Sequence, residues 1–257
     1  MQKATTIAVA GATGRVGRHV AQVLAERGHR VVPISRSAGV DVVTGAGLAE
    51  ALEGTEVIID VSSTPSPEQA AATEFFAAAT RNLHQAGHKT GVRRMVVVSI
   101  IGIDGSTAGY NAAKLAHEKE ALAGPIPTQI VRAAQFHEFV EQLVGWGTQG
   151  DVAYVPQMRT QLVAARTVAE KLVDMATDPD SNLTGQPYPE IAGPREENLA
   201  EAARLLAARR GTPARIEQVS DPADPDRDLF ENGGLLPGPH ATLAGPTYAD
   251  WLDRPAL

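Results

Sequence analysis

The sequence predicts an α/β fold built on a doubly wound parallel sheet, and three observations predict it. Short apolar runs typical of buried strands alternate with longer segments of helical periodicity through the first half of the chain. A glycine-rich turn joins the first strand to the first helix at residues 11–17. The 257 residues, of which 43% are hydrophobic and 21% charged, are enough to bury a large core around such a sheet.

The predicted elements follow one another in βα order up to Ala133. In this part we predict strands at 7–10, 30–35, 40–43, 57–61, 95–99 and 128–132, and helices from residue 16, at 48–52, from 68 to about 87 and at 111–122. Later we predict helices at 136–146, 167–176, 196–210 and 248–252, and strands at 152–155, 188–191 and 215–219. The sequence therefore predicts a core of residues 1–135 and a small mixed α/β lobe of residues 136–257, whose late strands could complete the sheet.

The glycine turn has the context of a dinucleotide-binding Rossmann unit, although its spacing is Gly-x-x-Gly-x-x-Gly. Gly11 allows the tight turn, Gly14 lets the backbone approach phosphates, and Gly17 lets the helix pack closely on the strand. The helix N-terminus offers N–H groups and a positive dipole end to a pyrophosphate. The alternative is a structural turn that binds no ligand.

The end of the second strand favours NADP(H) over NAD(H). No acidic residue stands there to bond a ribose 2′-hydroxyl; the sequence is Ile34-Ser35-Arg36-Ser37. Arg36 supplies a planar cation, the two serines supply donors, and Arg15 could add a second positive group, all suited to a 2′-phosphate. Alternatively, Arg36 is a solvated surface charge. Asp41 nearby either bounds the adenine pocket or caps a turn.

Tyr110 and Lys114 lie four residues apart, on one face of a predicted helix, and Ser99 ends the preceding strand. A nearby ammonium is expected to lower the pKa of the phenol. Tyr110 would then give a proton to a carbonyl oxygen as hydride arrives, with Ser99 bonded to the same oxygen. The alternative is a tyrosine that only packs on its helix.

These residues together resemble an atypical short-chain dehydrogenase/reductase of the NmrA-like, NAD(P)H-binding subgroup. The resemblance rests on residues 11–17, Ser35-Arg36, Ser99, Tyr110-x-x-x-Lys114 with Glu118, and 131–136, and extends to 245–252. It implies that the pyrophosphate is held by Gly11, Thr13, Gly14, Arg15, Val16 and Gly17. It also implies that Arg36 takes the 2′-phosphate, that Lys114 contacts the nicotinamide ribose, and that 133–136 line the nicotinamide side.

Further candidates lie at strand ends and in the lobe. The cofactor-binding candidates at strand ends are Asp60, Ser62, Ala133 and Gln135. The substrate candidates are Phe136, His137 and Trp146; for His137 the alternative is a structural pair with Glu138, and for Trp146 it is core packing. His117-Glu118 resembles the start of a zinc-protease motif but lacks a second histidine at 121, so no metal is expected.

The composition excludes several classes of function. A net charge of −7 argues against nucleic acid as partner, and the absence of cysteine excludes disulfides and thiolate sites. No apolar run is long enough to span a bilayer, and a cytoplasmic monomer or homodimer is expected. The sequence therefore predicts an NADPH-dependent reductase of a small carbonyl, quinone or enone. The alternative is a non-catalytic NADP(H)-binding redox sensor, and a third possibility, an epimerase or dehydratase with tightly held NAD, is disfavoured by Arg36.

Overall fold

Strands and helices alternate along the computed structural model, which describes residues 4–181 and 186–254. The strands are β1 Thr6–Ala10, β2 Arg30–Ile34, β3 Val57–Asp60, β4 Arg94–Ile100, β5 Thr128–Ala133, β6 Thr148–Gln149, β7 Val152–Pro156, β8 Arg159–Thr160, β9 Glu190–Ala192, β10 Glu197–Asn198, β11 Arg215–Val219 and β12 Thr242–Leu243. The helices are α1 Gly17–Glu26, α2 Leu48–Ala51, α3 Gln69–Thr90, α4 Gly109–Ala123, α5 His137–Gly147, α6 Ala165–Thr177, α7 Leu199–Arg210, α8 Arg227–Glu231 and α9 Tyr248–Leu252.

Seven of these strands form one sheet in the order β12-β9-β5-β4-β3-β1-β2, which confirms the predicted α/β fold with a parallel sheet. The chain divides into two units. The first holds the residues up to Ser99, together with Ala108–Val131 and Val168–Tyr188. The second holds Ile100–Thr107, Arg132–Thr167 and the residues from Pro189 onwards. The predicted boundary at residue 135 stays a prediction.

Two inner strands of the first unit's sheet, β1 and β3, are runs of buried and mostly apolar residues. β1 pairs in parallel with β2 and β3, so that Ile7 stands opposite Val31 on one side and Val57 on the other. All four residues of β3 are buried. Such continuous apolar runs are expected where helices cover both faces of a parallel sheet. β2 tolerates Pro33 because it is the last strand in the order and one of its edges needs no partner.

Two helices of the first unit, α3 and α4, position the polar residues that matter below. α3 begins at Gln69, one residue after the predicted start, and ends at Thr90, where Gly91 with a φ of 82° caps it. α4 follows β4 and packs on α3 through a small cluster around Phe76 and Ala113. No helix within the described ranges is long and apolar enough to cross a bilayer.

The second unit combines two short strands of the main sheet with separate small sheets. The last two residues of β5 pair in parallel with β9, and β9 pairs in parallel with β12. β7 pairs with β11 and β6 in a three-stranded sheet, and β8 pairs with β10. Arg132 donates two hydrogen bonds to the carboxylate of Asp104, at 2.5 and 2.8 Å.

The predicted strand at 40–43 is wrong, because this segment is a turn. Oδ1 of Asp41 accepts hydrogen bonds from the backbone N–H groups of Val43 and Thr44, at 2.8 and 3.2 Å. Positive φ angles at Gly39 and Gly45 bend the chain on either side. The side chain of Asp41 thus satisfies backbone groups that a strand would pair, and of its two predicted roles the structure has the turn cap.

Candidate active site and nucleotide-binding turn

The glycine turn between β1 and α1 has the geometry that the sequence predicts. Gly11 has a φ of 80°, and its N–H donates to the carbonyl of Ile34 at 3.0 Å. A Cβ on Gly17 would lie 2.0 Å from the carbonyl oxygen of Gly11, so only glycine permits this close approach. A Cβ on Gly14 would meet only that same oxygen, at 3.1 Å, and otherwise open space. Backbone atoms therefore fill the space beside Gly17, whereas the space beside Gly14 is largely empty.

The helix that follows fits an anionic ligand. α1 begins with Val16 at its N-cap position, where no side chain caps the backbone, and its first turn contains no acidic residue. Thr13 is exposed and Arg15 half-exposed beside this turn. N–H groups and the positive dipole end of the helix therefore face the position where a pyrophosphate is expected.

The end of β2 presents a cation to solvent. Arg36 opens a short 3-10 turn, Arg36–Ala38, and is exposed, and within residues 4–181 and 186–254 no carboxylate forms an ion pair with it. The hydroxyls of Ser35 and Ser37 lie 3.0 Å apart on either side. This cluster of one guanidinium and two hydroxyls has the donors that a 2′-phosphate requires.

The end of β3 carries a completely buried carboxylate, Asp60. Its Oδ1 accepts from the backbone N–H of Ser62 at 2.9 Å, and its Oδ2 lies 3.4 Å from Nε2 of His117. Burial disfavours the charged form, but the contacts with His117 and Ser62 hold the pKa of Asp60 below its ordinary value. Both oxygens of Asp60 thus face groups of this chain, and its predicted cofactor contact stays a prediction.

Tyr110 stands in the first turn of α4 and contacts a residue that the sequence reasoning missed. Its hydroxyl lies 2.9 Å from Oγ of Ser63, the exposed residue three positions after β3 ends. Burial raises the pKa of Tyr110, against the hydrogen bond with Ser63 that lowers it. The expected lowering of this pKa by Lys114 is therefore wrong for this structure.

Lys114 lies one turn further along α4 and is buried. Its Nζ donates to the carbonyl of Val98 at 2.8 Å and lies 2.8 Å from Nδ1 of His117. Burial lowers the pKa of Lys114 to about 8, against the charges of Asp60 and Glu118, which raise it. Glu118 is itself buried. His117, which the sequence suggested only as part of a rejected metal motif, is thus a hydrogen-bond partner of Lys114.

Ser99 and Ser62 are buried serines with unused hydroxyls. Ser99 stands at the penultimate position of β4, and Ser62 follows β3. Among the described residues neither Oγ has a hydrogen-bond partner, so Ser99 is not bonded to Tyr110. A buried hydroxyl without a partner is unfavourable, and a bound ligand can supply one. No cluster of possible metal ligands is found in the described part of the chain.

The remaining cofactor candidates belong to the second unit. The carbonyl of Ala133 accepts from the N–H of Ile101 at 3.0 Å. Oε1 of Gln135 accepts from the hydroxyl of Thr160 at 2.5 Å, and Phe136 precedes α5 as its N-cap residue. Their predicted contact with the nicotinamide stays a prediction.

His137 and Trp146 differ from what a substrate pocket would require. His137 is fully buried, with its Nε2 3.2 Å from the carbonyl of Pro246 and its ring 5.4 Å from the rings of Tyr248 and Trp251. Burial lowers the pKa of His137 to about 4. Trp146 is 58% exposed, with an edge-to-face contact to Phe139. His137 packs on Pro246, Tyr248 and Trp251 instead of pairing with Glu138, whose carboxylate accepts from the N–H of Ala165. Trp146 is not in the core, and the predicted substrate contacts of both residues stay predictions.

A buried parallel strand, a glycine turn and a helix without a side-chain cap form the arrangement that binds dinucleotides in Rossmann units. The family comparison agrees: a model of the NAD(P)H-binding family matches residues 11–179, and the chain belongs to this family. Comparison with curated proteins finds no matching sequence.

Solved structures share the fold at low sequence identity. A dTDP-4-dehydrorhamnose reductase from Clostridium acetobutylicum is 15% identical over 97% of this chain and 92% of that chain, with a TM-score of 0.68. MoeE5 in complex with UDP-glucose and NAD is 19% identical over 83% and 85%, with a TM-score of 0.66. A short-chain dehydrogenase/reductase superfamily protein from Agrobacterium tumefaciens with bound NAD is 18% identical over 92% and 88%, with a TM-score of 0.63. These structures confirm the predicted fold, and the family match shows an NAD(P)H-binding protein. The assignment to the short-chain dehydrogenases/reductases, the NmrA-like subgroup and the oxidoreductase activity stay predictions.

Proposed function

We propose that this chain is an NADPH-dependent reductase that transfers hydride to a carbonyl, quinone or enone of a small organic molecule. The observation that carries the proposal is the placement of Tyr110 and Lys114 one turn apart on α4. This helix belongs to the same unit as the glycine turn. Ser99, with its buried and unpartnered hydroxyl at the end of β4, adds a donor of the required kind. Ligands of open α/β sheets bind at these carboxyl ends of strands.

The proposed chemistry assigns one task to each residue. A bound nicotinamide supplies the hydride that adds to the carbonyl carbon. Tyr110 donates its phenolic proton to the carbonyl oxygen, whose former π electrons form the new O–H bond. Ser99 donates a hydrogen bond to the same oxygen and so fixes the carbonyl. The raised pKa of Tyr110 keeps the phenol protonated at neutral pH, which suits a proton donor.

The proposed preference for NADPH rests on Arg36. Its exposed guanidinium stands at the end of β2 with no ion-pair partner in the described ranges, beside Ser35 and Ser37. A planar cation binds a 2′-phosphate with charge-assisted hydrogen bonds, whereas a ribose 2′-hydroxyl is bound by an acidic residue, which this position lacks. Solved structures of similar fold contain NAD, so the relative affinity of this chain for NADPH and NADH is a property that must be measured.

Titration calorimetry with NADPH and NADH tests the cofactor. We expect wild type to bind NADPH at least about tenfold more tightly, and Arg36→Ala to lose about 1–3 kcal/mol of that preference. Arg30→Ala is the matched control, because Arg30 is exposed at the opposite end of the same strand. Equal affinities for the two nucleotides contradict the preference, and no binding of either contradicts the proposed function.

A panel of quinones, ketones, enones and dTDP-4-dehydrorhamnose then tests the reaction. We expect NADPH oxidation with at least one substrate, and Tyr110→Phe to reduce kcat by about two orders of magnitude or more while leaving the Kd for NADPH unchanged. An unaltered kcat in this variant contradicts the role of Tyr110. The cytoplasmic location, the monomeric or dimeric state and the absence of a nucleic-acid partner stay predictions.

One observation favours a second candidate, a redox sensor that binds NADP(H) without turnover. The hydroxyl of Tyr110 is bonded to Ser63, as in a phenol that has only a structural role. This alternative predicts nucleotide binding as above together with no turnover of any member of the panel. Any turnover that depends on Tyr110 contradicts it.

A further inference from the structure

Three buried polar side chains, Asp60, His117 and Lys114, form a row from the end of β3 to α4. Asp60, His117 and Lys114 are exposed by only 1, 2 and 4%, and all three belong to the first unit. Ionisable side chains are seldom buried unless they are paired. Their burial beside one another therefore indicates that each ionisable side chain is stabilised by its contact with the next.

The contacts of His117 determine which of its ring nitrogens carries the proton. A charged lysine can only donate, so the contact of 2.8 Å requires Nδ1 of His117 to be the unprotonated acceptor. The ring proton of a neutral His117 then lies on Nε2, which faces Oδ2 of Asp60 at 3.4 Å. The N–H of Ser62 holds the other carboxylate oxygen at 2.9 Å. Among the described residues neither Nε2 of His117 nor Oδ2 of Asp60 has a hydrogen-bond partner, so Asp60 acts here through its charge. That charge favours the same tautomer of His117 that accepts a hydrogen bond from Lys114.

Phe76 on α3 holds both side chains in place. Its ring stacks on the ring of His117, with centroids 4.5 Å apart and planes 14° apart, and Nζ of Lys114 lies 4.6 Å from its centroid. Of the three N–H groups of Lys114, one is given to Val98 and one to His117. One N–H is left, on a side chain whose rotation these contacts prevent.

We propose that Asp60 and His117 are positioning residues that aim the Lys114 ammonium and leave a single N–H for the nucleotide or Tyr110. The proposal rests on the proposed function, because Lys114 would serve the nicotinamide ribose and the proton donor there. The other titratable groups whose charges bear on this row are Glu118 and Tyr110 on α4 and His84 on α3. Of these, His84 contacts the carbonyl of Ala121 and the N–H of Ile126.

Nitrogen-15 NMR of the histidine rings tests the geometry without any catalytic assay. In the wild type we expect His117 to be neutral at pH 7 with its proton on Nε2. In Asp60→Asn we expect the tautomer to remain, because Lys114 still requires an acceptor at Nδ1, and the pKa of His117 to fall, because the charge of Asp60 raises it. A wild-type ring that is charged, or that carries its proton on Nδ1, overturns the proposal, because neither form accepts a hydrogen bond from Lys114.

NMR titration of the lysine side chains in the same samples gives a second readout. Lys114 is identified as the resonance missing from Lys114→Met. In the wild type we expect it to titrate near pH 8, and in Asp60→Asn at a lower pH, since the Asp60 charge raises the pKa of Lys114. An unchanged Lys114 midpoint in Asp60→Asn overturns the proposal.

Kinetics with 9,10-phenanthrenequinone as probe separate positioning from stability. We expect His117→Leu to reduce kcat at least about tenfold, the effect of one hydrogen bond to a charged group, and His117→Gln, which retains an acceptor, to recover part of it. The matched control His84→Gln alters a buried histidine of α3 and should reduce stability only. Equal kcat values for His117→Leu and wild type overturn the proposal. If wild type neither binds nucleotide nor reduces the quinone, the proposed function fails, whereas the NMR measurements still decide the positioning.

Discussion

Alanine at Gly17 is expected to destroy both the turn and the binding of nucleotide. The new Cβ would lie 2.0 Å from the Gly11 carbonyl oxygen and 2.9 Å from Cα of Ala12. The first distance is roughly 1.5 Å inside an ordinary contact, and both partners are backbone atoms, so the strand-to-helix turn must move. Such overpacking costs about 3 kcal/mol or more, and the higher helix propensity of alanine offsets about 1 kcal/mol. We therefore expect a net loss of at least about 2 kcal/mol.

Urea unfolding followed by circular dichroism measures this loss, and calorimetry with NADPH measures binding. Gly14→Ala is the informative comparison: its Cβ would meet only one atom, at 3.1 Å, so stability should change by less than about 1 kcal/mol while NADPH binding weakens at least about tenfold. Gly145→Ala, on α5 with nothing within 4 Å of its Cβ, should be neutral or stabilising. The reasoning is refuted if Gly17→Ala unfolds at the same urea concentration as Gly145→Ala.

Two further predictions concern the second unit. His137 is protonated near pH 6.5 in the unfolded chain but only near pH 4 in the folded chain. The contribution of neutral His137 to the free energy of unfolding is therefore fully present above pH 6.5 and is lost as the pH falls towards 4, by at most roughly 3 kcal/mol. His137→Gln should flatten this dependence in urea unfolding between pH 7 and 4, and an identical slope contradicts the argument. Asp226 accepts from the N–H and hydroxyl of Thr107 at 2.9 and 2.7 Å, so Asp226→Ala should cost about 2–3 kcal/mol. Hydrogen exchange should accelerate at Thr107, and unchanged protection there contradicts it.

The regular part of the fold could be predicted because its physical cause is local. The strand predicted at 57–61 is observed as Val57–Asp60, and the strand predicted at 128–132 is Thr128–Ala133. Strands buried on both faces must be continuously apolar, and such runs are visible in the sequence. The segment 40–43 has the same apolar character, but Asp41 gives its backbone an alternative set of hydrogen bonds, which composition alone does not reveal.

The candidate site could be predicted only in part. Gly17 could be predicted because it belongs to a regular spacing of glycines, and Lys114 because it stands four residues after Tyr110 on one helix face. Ser63 had no such signal, because its contact with Tyr110 spans 47 positions and depends on the course of a loop. His117 had a signal that was not used: it stands three residues after Lys114, and residues at this spacing are neighbours on a helix.

The aromatic residues around His137 have a practical consequence. The chain has two tryptophans, Trp146 and Trp251, and both belong to the second unit. Trp251 lies against the rings of Tyr248 and His137, whereas Trp146 is largely exposed. Indole fluorescence therefore monitors one unit alone, with no label added, and each of its two emitters can be removed by a single substitution.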